Sequence, residues 1–138
     1  MFNDFLSPLN KNILTYREKL PLSSIGKNLL TYHQNIDLST IDIALIGLNE
    51  YRGSSNSDLN YFKTNSFRKE FYSLYSGDWQ INLMDLGDVI NGNKLSDTYY
   101  AIQNISETLI NNNVIPLFFG GSQDLTFSIY KSYCGKKK

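Results

Sequence analysis

The sequence predicts an α/β fold built on a mostly parallel sheet, and three observations carry that prediction. Ile43-Ala-Leu-Ile-Gly-Leu48 and Val114-Ile-Pro-Leu-Phe-Phe119 are apolar runs without a charged residue. Such runs read as strands buried on both faces, the habit of parallel sheets. Segments with apolar residues at helical spacing follow the strands. The resulting order is strand, helix, strand, helix, strand, helix. Right-handed crossovers then place helices on both faces of the sheet.

The elements follow in chain order. Residues 1–37 show no clean period and are expected to wrap the domain. Within them, Ser7-Pro8-Leu9-Asn10 is a turn signal, and Ile13, Leu14, Tyr16, Arg17 and Leu20 fit a short helix ended by Pro21. Residues 38–138 hold the three strand-helix units. The first strand is Asp42–Leu48. A polar loop from Asn49 to Asn60, with Arg52-Gly53-Ser54-Ser55-Asn56-Ser57, leaves its carboxyl end and is a plausible site loop.

Phe67, Phe71, Leu74 and Tyr75 share a helical face, with Asn65 or Ser66 as the cap and Gly77 as the stop. Trp79 to Leu86 alternates as a strand and enters a turn at Gly87-Asp88-Val89. Ser96 caps a helix with the apolar face Ala101, Ile102, Ile105, Leu109 and Ile110, which Asn111-Asn112-Asn113 ends. The third strand reads as buried. It runs into Gly120-Gly121, and Ser122 or Asp124 caps a last helix bearing Leu125, Phe127, Ile129 and Tyr130. Three strands are few against the usual five or six, so the chain reads as the first part of a larger α/β domain.

Composition narrows the function. The 138 residues suit one domain, and 41% hydrophobic content supports a packed core. Lysine plus arginine number 13, as do aspartate plus glutamate, so formal net charge is zero. No basic excess points to nucleic acid and no charge block to a membrane surface. Lys136-Lys137-Lys138 reads as a frayed tail. Cys134 is the single cysteine, which excludes an internal disulfide and fits a reducing compartment. Met1-Phe-Asn-Asp-Phe-Leu-Ser-Pro8 lacks the pattern of a secretory leader, and no window approaches the roughly 18 apolar residues of a membrane span. A cytoplasmic location is expected.

The turn Gly120-Gly121-Ser122-Gln123-Asp124 is the strongest site signal, because open α/β sheets bind ligands at the carboxyl ends of strands. Three readings of it compete. As a nucleophile elbow it has Asp124 where the last glycine belongs, and His33, the sole histidine, lies upstream. As an anion cradle it has Asp124 competing for the positive helix end, and no phosphate-loop spacing. As plain structure, its glycines let strand and helix pack, with Asp124 as cap. A hard cation is a further option, since Asp85, Asp88 and Asp124 are all expected near strand ends. Asp88 equally serves as a turn residue bonded to its own backbone. His33 reads as a surface or packing residue.

Four segments together resemble the ureohydrolase family of arginase, agmatinase and formiminoglutamase. Asp42-Ile-Ala-Leu-Ile-Gly-Leu-Asn-Glu-Tyr-Arg-Gly53 is similar to the family's first strand and its glycine-bearing loop. Phe67-Arg68 resembles the start of the helix with a family arginine. Met84-Asp-Leu-Gly-Asp-Val89 resembles the Asp-Leu-Gly-Asp strand end. Ile115 through Asp124 resembles the strand entering Gly-Gly-Asp-His-Ser, in a variant most like a bacterial formiminoglutamase or arginase branch. The resemblance covers residues 42–133.

It implies a three-layer α/β/α fold, a manganese pair at the strand ends, and a metal-activated water that attacks the carbon of an amidine-type group in a small nitrogenous metabolite. It places Ser122 at the family's aspartate, Gln123 at its first histidine ligand and Asp124 at its serine, so Gln123 and Asp124 hold the metal positions and Gly120, Gly121 and Ser122 form the substrate-side turn. A glutamine amide is a weaker donor than imidazole. The family's further ligands, in Asp-x-His-x-Asp and Asp-x-Asp segments, would follow residue 138. The expectation is therefore an amino-terminal portion, inactive and metal-free by itself and prone to self-association, with a non-catalytic ureohydrolase-fold protein as the alternative.

Overall fold

A computed structural model of the chain describes residues 2–32, 36–55 and 62–136. The chain forms an α/β fold around a mixed sheet of five strands. A 3-10 turn, Phe2–Phe5, leads into the short strand β1 (Leu6–Ser7), helix α1 (Lys11–Glu18), the single turn α2 (Ile25–Asn28) and the short strand β2 (Leu30–Thr31). After a second 3-10 turn come β3 (Ile43–Leu48), α3 (Thr64–Ser73), β4 (Leu83–Val89), α4 (Leu95–Asn111), β5 (Ile115–Gly120) and α5 (Leu125–Tyr133).

The central strands run β4-β3-β5, all parallel. On the far side of β4, the carboxyl half pairs antiparallel with β1 and the amino half pairs parallel with β2. The segment before β3 thus supplies, through β1 and β2, one edge of the sheet. Two-residue strands have no readable period, and their pairing with β4 defines them. Asn10 starts α1 by accepting the Ile13 N–H, and Arg17 ties that helix to the Gly26 and Leu29 carbonyls, each at 2.6 Å.

Alternate residues of β3 enter two separate cores. Ala44, Ile46 and Leu48 pack with Ile102, Ile105 and Leu109 of α4 and Leu125 of α5. Leu45 packs with Ile13 of α1, Ile25 of α2 and Tyr72 of α3. The α4 stripe expected from its spacing is buried at Ala101, Ile102, Ile105 and Leu109. Asp97, not Ser96, closes its start by accepting the Lys94 N–H.

Several boundaries differ from expectation. Helix α3 begins at Thr64 and ends at Ser73, so Leu74 and Tyr75 are exposed. Its inward face is Thr64, Arg68 and Tyr72, a polar stripe that apolar periodicity overlooks. Trp79 to Asn82 is not strand, and β4 continues through Gly87-Asp88-Val89 instead of turning there. Phe127 and Tyr130 face outward, and α5 buries Leu125, Ser128 and Ser132. Strand β5 is an edge strand with exposed Ile115 and Leu117, not a buried one. Among the described residues nothing pairs beyond it, and no helix is long and apolar enough to cross a membrane. His33 and the loop residues Asn56–Asn60 lie outside the described residues.

Candidate functional site at the carboxyl ends of the strands

Because β3, β4 and β5 are parallel, the turns that leave them gather at one edge of the sheet. The first is Asn49–Gly53, the second Ile90–Asn93 and the third Gly121–Asp124.

A bulge in β4 decides what this edge presents. Leu45 pairs with Asp85, but Gly47 pairs with Asp88, so β4 spends one more residue than β3 over this span. Gly87, at φ 86°, takes the left-handed conformation that such a bulge needs. In a regular strand, residues three apart point to opposite faces. With the bulge, Asp85 and Asp88 both point to the face that carries α3. Arg68 from α3 meets both. Its Nε and Nη2 donate to the two Asp85 oxygens at 2.8 and 3.0 Å, its Nη1 to Asp88 Oδ1 at 2.7 Å, and Nη2 also to the Gly87 carbonyl at 2.9 Å.

The Tyr72 hydroxyl and the Gly87 N–H complete the shell of Asp85. Asn49 and Thr64 donate to the other Asp88 oxygen at 3.0 and 2.9 Å. Gly47 leaves the space that Asp88 occupies; a Cβ there would meet Asp88 Oδ1 at 2.0 Å. Burial works against the Arg68 charge, but its bonds to Asp85 and the two negative charges outweigh it and hold the guanidinium above its usual value. Burial, then the Asp85 charge and hydrogen bond, push the Tyr72 phenol well above its usual value.

A second clamp joins the first two turns. Glu50 is buried and accepts from the Arg52 backbone N–H, from Arg52 Nε and Nη2, and from the Thr98 hydroxyl. The Arg52 guanidinium reaches on to the Gly92 and Asn93 carbonyls. Hydrogen bonds from Arg52 hold the Glu50 carboxyl below the usual value, against the opposing effect of burial.

The third turn attaches to the first. The Ser122 N–H and hydroxyl both donate to the Glu50 carbonyl, at 3.0 and 3.2 Å. Gly120 and Gly121 have φ of 83° and 74°. A Cβ on the first would lie 2.5 Å from the Leu48 carbonyl, and one on the second 2.5 Å from Leu125 Cδ1. The double glycine is thus required by backbone shape and by the closeness of β3 and α5. Ser122 is buried with its donors occupied, which leaves no nucleophile at the position an elbow would use. Asp124 occupies the N-cap position of α5 but makes no side-chain capping bond. Its carboxylate packs on Gly53 and accepts from the Tyr99 hydroxyl, which raises the Tyr99 value. The other oxygen, Oδ1, is buried without a hydrogen-bond partner. Gln123 is exposed.

The structure therefore gathers Gly120, Gly121, Ser122, Gln123 and Asp124 with Glu50 and Gly53, while Asn49 belongs with Asp88. It sets Asp85 and Asp88 apart in the Arg68 clamp. The donor set does not fit a manganese pair: Asp85 has two donors on each oxygen, Asp88 is held by Arg68, Asn49 and Thr64, Gln123 offers only an amide, and Asp124 has one oxygen without a partner. Among the described residues no three His, Cys, Asp or Glu side chains are grouped to hold a metal ion. Sequence reasoning passed over Glu50, Thr98 and Tyr99. Glu50 alone carried a signal, as an acidic residue two positions before an arginine at a strand end.

No family model, no curated protein and no solved structure matches this chain.

Proposed function

We propose that this chain corresponds to the amino-terminal part of a ureohydrolase-type, three-layer α/β/α hydrolase, whose complete form cleaves a C–N bond in an amidine-type group of a small nitrogenous metabolite. The observation that supports the reading most is the Asp85-Leu86-Gly87-Asp88 bulge with Arg68 across it. The same motif and the same arginine carry the resemblance in sequence, and they meet in space. The positive-φ pair Gly120-Gly121 adds to it by setting Ser122–Asp124 beside the turn that follows β3.

The 138 residues by themselves have no catalytic group on this reading. Purified chain, supplied with excess manganese, is expected to release neither urea nor formamide from arginine, agmatine or formiminoglutamate. Turnover above the metal-only blank overturns the proposed inactivity. The ancestry has its own test. In the complete protein, which would supply the further ligands, Gln123→His is expected to raise manganese binding measured by calorimetry. No gain of binding counts against the register that places Gln123 at a ligand position.

A second reading is a non-catalytic protein that keeps this fold for binding or assembly. The exposed Gln123 amide and the engagement of Asp85 and Asp88 by Arg68 favour it.

A further inference from the structure

Asn91 and Gly92 lie in the turn between β4 and α4, and theirs is the only asparagine-glycine step in the chain. That step is chemically labile. Glycine has no side chain to shield its backbone nitrogen, so the Gly92 nitrogen can attack the Asn91 side-chain carbon Cγ. The new C–N bond closes a cyclic succinimide. The side-chain nitrogen leaves as ammonia, carrying the proton that Gly92 gives up. Water then opens the ring at either carbonyl and leaves aspartate or isoaspartate. No oxidant, metal or enzyme is required.

The fold explains why so reactive a pair stands here. A Cβ on Gly92 would lie 2.3 Å from the Cβ of Asp97, the residue that closes the start of α4 by accepting the Lys94 N–H. The turn therefore needs glycine at this position. Asn91 is exposed, and its Nδ2 donates to the Asn49 carbonyl at 3.0 Å, which ties the turn after β4 to the turn after β3.

The same contacts oppose the reaction. The Gly92 N–H, whose proton must be lost for the nitrogen to attack, donates to Thr98 Oγ1 at 2.9 Å. Thr98 spends its own proton on buried Glu50 at 3.0 Å, so its oxygen is fixed as an acceptor. Arg52 Nη2 holds the Gly92 carbonyl at 2.8 Å. The departing nitrogen of Asn91 is itself engaged by Asn49.

We propose that Asn91 is a deamidation site gated by the clamp of Glu50, Arg52 and Thr98. Cyclisation waits for the turn to open locally, and the product keeps it from closing as before. A carboxylate at position 91 has no hydrogen to give the Asn49 carbonyl and meets it with like charge. Asn49 also donates to Asp88, so the new charge arrives near an existing carboxylate. Deamidation thus cuts the tie between two turns of the candidate site, irreversibly. The proposal rests on the turn alone and stands apart from the hydrolase reading.

The test incubates the 138-residue chain in mildly alkaline buffer, folded and in concentrated urea, and locates aspartate and isoaspartate by tandem mass spectrometry. Position 91 is expected to convert first in urea, and on the order of tenfold or more slowly in the folded chain, because local opening precedes the chemistry. Thr98→Val, which frees the Gly92 N–H, is expected to bring the folded rate toward the urea rate, while Thr98→Ser keeps it slow. If Thr98→Val does not fold, urea below the unfolding transition replaces it, and the conversion rate should then rise in step with hydrogen exchange at the Gly92 amide. Asn91→Asp, which supplies the product's charge directly, is expected to lower the thermal midpoint and the protection of that amide. Another asparagine converting ahead of position 91 in urea overturns the site. Equal rates in folded and unfolded chain, or a folded Thr98→Val chain that converts no faster, overturn the gate. An Asn91→Asp chain with unchanged midpoint and protection overturns the consequence.

Discussion

At the scale of single residues, Arg68 carries the heaviest energetic role. Its side chain is 1% exposed and that of Asp85 is fully buried. A buried ion pair is a poor source of net stability, because both charges have left water. Breaking one is a different matter, since the remaining charge has no solvent to return to. Arg68→Met would leave Asp85 with two donors, the Tyr72 hydroxyl and the Gly87 N–H, and Asp88 with Asn49 and Thr64. We expect a loss of about 3–5 kcal/mol in urea unfolding, a large part of a typical domain's stability. Arg68→Lys is expected to recover little of it, because a point charge cannot make the fork to Asp85 while reaching Asp88. A loss near 1 kcal/mol for either variant would mean that the clamp is solvated. The arginine was legible in sequence through the family resemblance, and its partners were not. Asp85 and Asp88 read as candidate cation ligands or turn residues, since nothing in the order of residues reveals which carboxylates already have a cation.

At the scale of elements, β4 turns on Gly87. A side chain there would adopt the left-handed conformation, costing about 1–2 kcal/mol. Its Cβ would also lie 2.0 Å from the Ser7 carbonyl of β1. Gly87→Ala is therefore expected to detach β1. By hydrogen exchange, protection should fall at the Ile90 amide, which donates to Phe5, while amides between β3 and β5 stay protected. Uniform loss across the sheet would show that β1 and the bulge unfold only with the whole domain. The same glycine explains why β4 runs on through residues whose composition predicts a turn. Gly-Asp after an alternating run is a turn signal by composition, and a bulge uses the same residue for the same left-handed backbone.

The long apolar elements fared better. Strand β3 and the stripe on α4 follow from periodicity because burial alone decides them. Strand β5 is equally apolar, but its exposure depends on what lies beside it, which local sequence does not encode. The helix starts at Lys63 and Lys94 leave no signal in the sequence, because neither residue is a customary cap. The site was legible as a place, the glycine turn, and not as a network. The bonds among Glu50, Thr98 and Ser122 cross 48 to 72 positions of chain.

At the scale of the whole molecule, the clamps set the pH range of stability. The Glu50 carboxyl is held below its ordinary value of 4.5 by Arg52. A lowered acid contributes stability that is complete above the unfolded value and is lost as pH falls through the folded one. Tyr72 lies on the other flank, raised above its ordinary value of 10.0 by burial and by Asp85. A phenol that stays protonated in the folded state contributes fully below the unfolded value, and the contribution fades as pH climbs past it. Stability should therefore hold level through neutrality, fall below about pH 4.5 and fall again above about pH 10. Thermal midpoints measured across that range test the shape, and two variants test the assignment. Glu50→Gln lowers the neutral plateau, since Arg52 and Thr98 lose an anionic acceptor, but it should flatten the acid limb. Tyr72→Phe leaves Asp85 one donor short and should flatten the alkaline limb only. If each variant shifts the whole profile downward without changing either slope, these groups do not govern the limits, and the pH dependence belongs to charges outside the two clamps.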